Sequence, residues 1–268
     1  MTSSTVQLNG TAATANQLAS AAFAGYAHFT AMQVRSGAVR GLDLHLARLR
    51  KASDELFGTH LPDDQMRGYL RRAIQAAPAD ASSLACFVTQ RAGEFTAPTA
   101  PTELDVLVRT SAAAEPPVGP LRLDVVGHER HLAHLKHVGE VGKTFYLRHA
   151  VARGFDDAAF VDTYGRLSEA TIWNLAFWDG ESVIWPRADL LSGVTMQILA
   201  RRLTARGVPQ RTADVRPEDL HAYSAAVVMN SWTPGIAVHR IGDHQLPGDA
   251  QLTQVLHDAY LDEAPATV

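Results

Sequence analysis

Cysteine is almost absent from this chain: Cys86 stands alone among 268 residues, so no internal disulfide can form. Its neighbours Leu84, Phe87 and Val88 are apolar, and a thiol in that company reads as a packing group rather than a nucleophile. Basic charge is not in excess either. Lys and Arg number 24 against 28 Asp and Glu, and they are interspersed with the acids rather than gathered in a run, which removes the electrostatic footprint that nucleic acid requires. No window approaches the roughly 20 consecutive apolar residues of a spanning helix, and Met1 to Gly10 lacks a basic start followed by an apolar run. These absences leave the expectation of a cytoplasmic folded protein with neither a membrane nor a nucleic-acid partner.

What is present is the material for two compact lobes, with 46% hydrophobic residues over a length that can bury a core in each. The clearest seam is Ser111 to Pro120 (SAAAEPPVGP), where small residues and prolines separate the strand-like runs Leu104–Arg109 and Leu121–Val126. We expect an interdomain linker over 111–120, a small α+β domain over 1–110 and a larger α/β domain over 121–268. In the first, Tyr26–Arg35 and Ser83–Gln90 read as strands, and Leu42, Leu46, Leu49 and Leu56 recur at helical spacing up to Gly58. In the second, strands are expected at Asp157–Asp162, Asn174–Trp178, Ser182–Trp185 and Ala225–Met229, with helices near Thr144–Arg153, Val194–Arg206 and Ala250–Tyr260. Asp179–Gly180 between NLAFW and ESVIW signals a hairpin, because both residues tolerate a positive φ.

The chemistry-bearing residues are less decisive one by one. His128, His131, His134 and His137 recur every three residues, a spacing that could set imidazoles on one helical face as metal ligands. No carboxylate or cysteine completes a zinc signature around them, so polar loop histidines are the plainer reading and no metal is expected. Four segments carry more weight together: GLDLHLARL with Arg48, HLKHVG with Lys136, DTYGRLSEATIWNLAF with Glu169 and Asn174, and WPRADLLSGVTMQIL with Gly193, Val194 and Thr195.

In order and separation these segments resemble the aminotransferase class IV family, the fold-type IV pyridoxal-phosphate enzymes. That family includes branched-chain aminotransferases, D-amino acid aminotransferases and 4-amino-4-deoxychorismate lyases. The resemblance spans nearly the whole chain, from the FTAMQV strand to Asn230–Pro234. It implies a two-lobed α+β fold like that of the D-amino acid aminotransferases, with pyridoxal 5'-phosphate between the lobes, and a homodimer. It implies Lys136 as the aldimine lysine, since a primary amine in a partly desolvated site can attack an aldehyde and then shuttle a proton. Glu169 is implied as the carboxylate that meets the pyridine nitrogen. Arg48 and the helix start at Gly193, Val194 and Thr195 are implied as phosphate ligands, through a guanidinium fork and free backbone N–H groups. Asn174, Asn230 and Ser231 are expected beside the cofactor, and Thr30, Gln33 and Trp232 on the substrate side. Period-two alternation sets Thr30 and Gln33 on opposite faces, so at most one of them lines the pocket unless the strand bulges.

One departure stands out. Branched-chain members carry a tyrosine shortly after the lysine to bond the cofactor's phenolic oxygen, and here HVGEVGK places Val141 near that position. Either Tyr146 or another donor substitutes, or the oxygen lacks that partner. The activity implied is a pyridoxal-phosphate-dependent aminotransferase acting on a small amino acid and a keto acid. The same machinery would serve a 4-amino-4-deoxychorismate lyase releasing pyruvate and 4-aminobenzoate, an alternative that the KH pair and the FT strand favour and Gln33 weakens. A noncatalytic binding or assembly protein of the same fold is the third reading.

Overall fold

A computed structural model describes residues 4–22, 25–77, 79–91, 95, 102–248 and 250–268. The chain divides into two compact units, one of Met1–Glu115 with Leu135–Gly139 and Ala264–Val268, the other of Pro116–His134 and Glu140–Glu263. A single cut at the proline-rich seam therefore misassigns two segments, because the stretch around Lys136 and the last five residues both belong to the first unit.

The first unit contains β1 (Ser4–Leu8), β2 (Thr11–Ala12), α1 (Ala15–Ala22), β3 (Ala27–Arg35), β4 (Ala38–Arg40), α2 (Leu42–Phe57), α3 (Asp63–Gln75), β5 (Ala81–Gln90) and β6 (Leu104–Ala112). Its sheet runs from a C-terminal strand, Pro265–Thr267, through β4, β3, β5, β6 and β1 to β2. All neighbours are antiparallel. Period-two alternation turns Met32, Val34, Leu84, Cys86, Val88, Val106 and Val108 to one face, where they meet Leu42, Leu46, Leu49 and Phe57 of α2 and Met66 and Leu70 of α3. Cys86 is fully buried there and burial pushes its thiol up to about 12, so it packs and does not react. The opposite face carries Phe29, Ala31 and Gln33 beside Phe87, Ala85 and Ser83. Apolar periodicity marks β3, β5, β6 and α2. It does not mark β1, β2 or β4, which are short.

The second unit contains β7 (Leu121–Gly127), α4 (Val141–Ala152), β8 (Asp157–Val161), β9 (Leu167–Ala170), β10 (Asn174–Trp178), β11 (Val183–Pro186), α5 (Val194–Ala205), β12 (Gln210–Ala213), a 3-10 helix Pro217–Ala222, β13 (Ala225–Asn230), β14 (Thr233–Ile241), β15 (His244–Gln245) and α6 (Ala250–Leu261). Strands β7, β8, β9, β10, β13 and β14 follow one another around a closed ring, sealed where Asn174 pairs with Glu169 and where β14 runs parallel to β7. Beyond that seal, the other end of β10 pairs with β11, which in turn carries β12. Leu175, Phe177, Ala226 and Val228 fill one core with Leu121, Leu123 and Ile236. The alternate residues Ala176, Trp178, Val227 and Met229 pack on Leu199 and Leu203 of α5 and Leu252 and Leu256 of α6. Burial on both faces is why β13 reads as an unbroken apolar run. Helix α4 starts three residues before its apolar pattern suggests, at Val141, and the connection from Asp179 to Ser182 makes the expected hairpin between β10 and β11.

Candidate active site

In the first unit, Lys136 lies on a short segment hydrogen-bonded along β3. The Phe29 N–H donates to the Lys136 carbonyl at 2.8 Å and the Val138 N–H to the Ala27 carbonyl at 3.0 Å. This fixes the lysine backbone, and Nζ lies 4.7 Å from the centre of the Phe29 ring, a cation–π contact. Under the same strand, on α2, His45 is buried and its Nδ1 meets the Thr30 hydroxyl at 2.7 Å. Burial first, and then the Arg48 charge, hold the His45 imidazole down to about 3, with Lys136 acting in the same sense. Arg48, one turn beyond His45, is itself lowered to about 10 by burial. Arg50 faces away and pairs with Asp63. A second buried imidazole, His28, meets Ser53 at 2.8 Å and is lowered to about 4 by burial.

The site residues of the second unit gather where the ring of strands is sealed. Glu169 on β9 is buried and accepts from Arg130 Nε, and Arg130 also bonds Glu140 and the Ala133 carbonyl. Burial opposes the Arg130 charge, yet Glu169 and Glu140 together hold the guanidinium above its ordinary value. The Leu191 N–H approaches the second Glu169 oxygen at 3.4 Å. Asn174 donates to the Leu191 carbonyl at 2.7 Å, and its Oδ1 stands 1.9 Å from where a Cβ on Gly193 would be. Only glycine allows that approach, and Gly193 opens α5 with no side-chain cap, so the first N–H groups of a 12-residue helix face outward without an intrahelical acceptor. The Thr195 hydroxyl donates to the Asn230 carbonyl at 2.8 Å, tying the helix start to the end of β13. A cavity of about 520 Å³ opens between residues 129–134 and 188–190, with Arg130 in its wall.

The structure thus brings Lys136 and Arg48 together in one unit, and Glu169, Asn174, Gly193, Val194 and Thr195 together in the other. One expectation changes. Thr30 is not on the substrate side: it is fully buried beneath α2 against His45, on the face opposite Phe29, whereas Gln33 shares the Phe29 face and bonds Ser83 at 2.9 Å. The Asn230 side chain turns to backbone, accepting from the Trp232 N–H at 2.8 Å and donating to the Ile172 carbonyl at 3.4 Å. The histidine run is a series of turns rather than a helix, and His128 and His137 fall in different units, so no shared helical face exists. Trp232 is partly exposed and meets Trp173 edge-on at 5.8 Å, while Trp173 itself packs in the ring core and donates to Asp157 at 2.9 Å. Tyr146 packs among His128, Phe145 and Phe160.

Three participants escape a reading of the sequence: Arg130, His45 and Lys143. Lys143 on α4 is half-buried, and burial lowers its ammonium from the ordinary value against the pull of Glu169. The signal for His45 was its place one turn before Arg48; for Arg130 and Lys143 nothing in the sequence marks a buried position.

This architecture and its polar groups define a mixed α+β chain of a known enzyme class. The amino-transferase class IV family matches residues 27–241, and the chain belongs to that family. Among solved structures, it is similar to a branched-chain aminotransferase of Thermoproteus uzoniensis with norvaline, at 17% identity over 96% of this chain and 93% of the other, with a TM-score of 0.83. It is similar to a Legionella pneumophila protein assigned as a 4-amino-4-deoxychorismate lyase, at 19% identity over 90% and 92%, with a TM-score of 0.80. It is also similar to a T.th. branched-chain amino acid aminotransferase complexed with N-(5'-phosphopyridoxyl)-L-glutamate, at 16% identity over 96% and 93%, with a TM-score of 0.81. At these identities the likeness establishes the fold, that of the fold-type IV enzymes. No curated protein matches the chain by sequence. No helix among the described residues is long and apolar enough to cross a membrane.

Proposed function

We propose that the protein is a pyridoxal-phosphate-dependent aminotransferase of a small amino acid, working as a cytoplasmic homodimer. The observation that carries the reading is the Lys136 amine, held on a backbone pinned to β3 above Phe29 in the same unit as Arg48 and a neutral His45. The residues present fit the cofactor: an amine for its aldehyde, a carboxylate for its ring nitrogen, and a guanidinium with an uncapped helix start for its phosphate. The T.th. relative, complexed with a phosphopyridoxyl amino acid, supports the same choice.

When bound, pyridoxal phosphate supplies an electron sink for the substrate's α-carbon. Lys136 would hold the cofactor through its aldehyde and would move a proton at its Nζ. Glu169, oriented by Arg130, would hold a proton on the ring nitrogen. Arg48 and the N–H groups of Val194 and Thr195 are the groups that would hold a phosphate, and the Thr195 hydroxyl fixes the helix start against Asn230. The neutral state of His45 matters because a charged imidazole would add to the Arg48 charge and disfavour the ammonium form of Lys136.

The first test is an absorption spectrum of protein incubated with pyridoxal phosphate and desalted, followed by borohydride reduction and peptide mass mapping, in wild type and Lys136→Ala. A band near about 410–430 nm and a reduced adduct on Lys136 are expected. Absence of both in wild type overturns the proposal and leaves a family fold in noncatalytic use. Amino donors that yield pyridoxamine phosphate support the aminotransferase, whereas release of 4-aminobenzoate from aminodeoxychorismate identifies the lyase. Light scattering reads the homodimer.

A further inference from the structure

Two cations stand in the Glu169 cluster, and they are engaged very differently. Arg130 spans Glu169 and Glu140 and takes the Ala133 carbonyl as well. Lys143 follows Glu140 by three residues, on the first turn of α4, which brings its side chain to the same side of the helix. Among the described residues, no hydrogen bond or ion pair engages its ammonium, although Glu169, Glu140, Asp157, Arg130 and His128 all lie close enough to act on it or to feel its charge. A lysine side chain seldom enters the interior without a counter-ion, because removing an ammonium from water is costly. Here the three neighbouring carboxylates are already engaged, Glu169 and Glu140 by Arg130 and Asp157 by Thr171 and Trp173, so the amine remains available to an anionic oxygen from outside the chain.

We propose that Lys143 supplies the cation that meets the anionic oxygen of the ring held against Glu169, a role that rests on the cofactor reading above. Val141 cannot take this role, since it is an apolar side chain 85% exposed at the start of α4. Tyr146 is packed among His128, Phe145 and Phe160. Lys143 would then be a positioning residue: its charge would stabilise the deprotonated ring oxygen and so lower the pH at which the bound cofactor's visible band is lost. Glu169, Glu140 and Asp157 oppose it in sign, and Arg130 and His128 flank it, so removing Lys143 shifts the local balance by one full positive charge.

The experiment compares wild type, Lys143→Met and Lys143→Arg after loading with pyridoxal phosphate. Its readouts are the reduced adduct on Lys136, the circular dichroism spectrum, and the pH midpoint at which the bound cofactor's visible band is lost. The expected result is the Lys136 adduct in all three proteins, a midpoint about one to two pH units higher in Lys143→Met, and a return of most of that shift in Lys143→Arg. A purely structural role would not move the midpoint, and equal midpoints in wild type and Lys143→Met overturn the inference while the Lys136 adduct stands. If Lys143→Met does not fold, Lys143→Gln is read in the same way. Absence of the adduct from wild type overturns the cofactor reading itself, and the role of Lys143 with it.

Discussion

The two units treat buried polar groups in opposite ways. In the first, the interior beside α2 holds neutral pairs, Thr30 with His45 and His28 with Ser53, and burial keeps both imidazoles uncharged. In the second, the interior beside β9 holds charge, with Arg130 between Glu169 and Glu140, and Asp157 satisfied by Thr171 and Trp173. Neutral pairs beside a lysine and an arginine do not compete for their charge, which suits capture of an aldehyde and a phosphate. A charged interior with a fixed dipole direction suits holding one protonation state of a ring. The division of labour follows from what each environment can stabilise.

The largest way to break this contrast is to remove one partner of the charged set. Arg130→Met leaves Glu169 and Glu140 in the interior without their shared cation, and a loss of about 3–5 kcal/mol in urea unfolding is expected. A loss below about 1 kcal/mol would mean that the carboxylates find water or another donor, as ordinary surface pairs do.

The neutral set is tested by pH. The unfolded imidazoles titrate near 6.5 and the folded ones at about 4 for His28 and about 3 for His45. Between those values the unfolded chain takes up protons that the folded chain excludes. This stability is therefore full above pH 6.5 and declines as pH falls toward 4 and then 3. From pH 7 to pH 5 the loss is about 2 kcal/mol per histidine, to be read from chemical unfolding at both pH values. His45→Gln should flatten the decline by about half, and an unchanged slope would show that other groups cause it.

Gly193→Ala comes next. The added carbon would meet the buried Asn174 amide, which cannot swing aside without breaking its bond to Leu191. A cost of about 1–3 kcal/mol is expected, together with weaker retention of pyridoxal phosphate on desalting. Normal retention would show that the start of α5 tolerates the shift. The smallest effect belongs to Val141→Tyr: at a position 85% exposed, the unfolding free energy read from urea titration should stay within about 0.5 kcal/mol of wild type, and a larger loss would show that this helix start is packed.

The sequence by itself determined the strands with strong apolar patterns, β3, β5, β10 and β13, the helices α2, α5 and α6, and the family, through motifs around Arg48, Lys136, Glu169 and Gly193. These were legible because each depends on local spacing: the period of a strand or helix, or a short motif beside a turn. Thr30 shows the limit, for its strand was evident and its face was settled only by the packing of α2. Only the tertiary structure decided that the Lys136 segment joins β3 of the first unit across the seam, that Arg130 reaches 39 residues along the chain to Glu169, and that Lys143 is half-buried. Charged residues carry no periodic signature of burial. Whether one meets solvent, a partner or a ligand depends on which distant strands close around it.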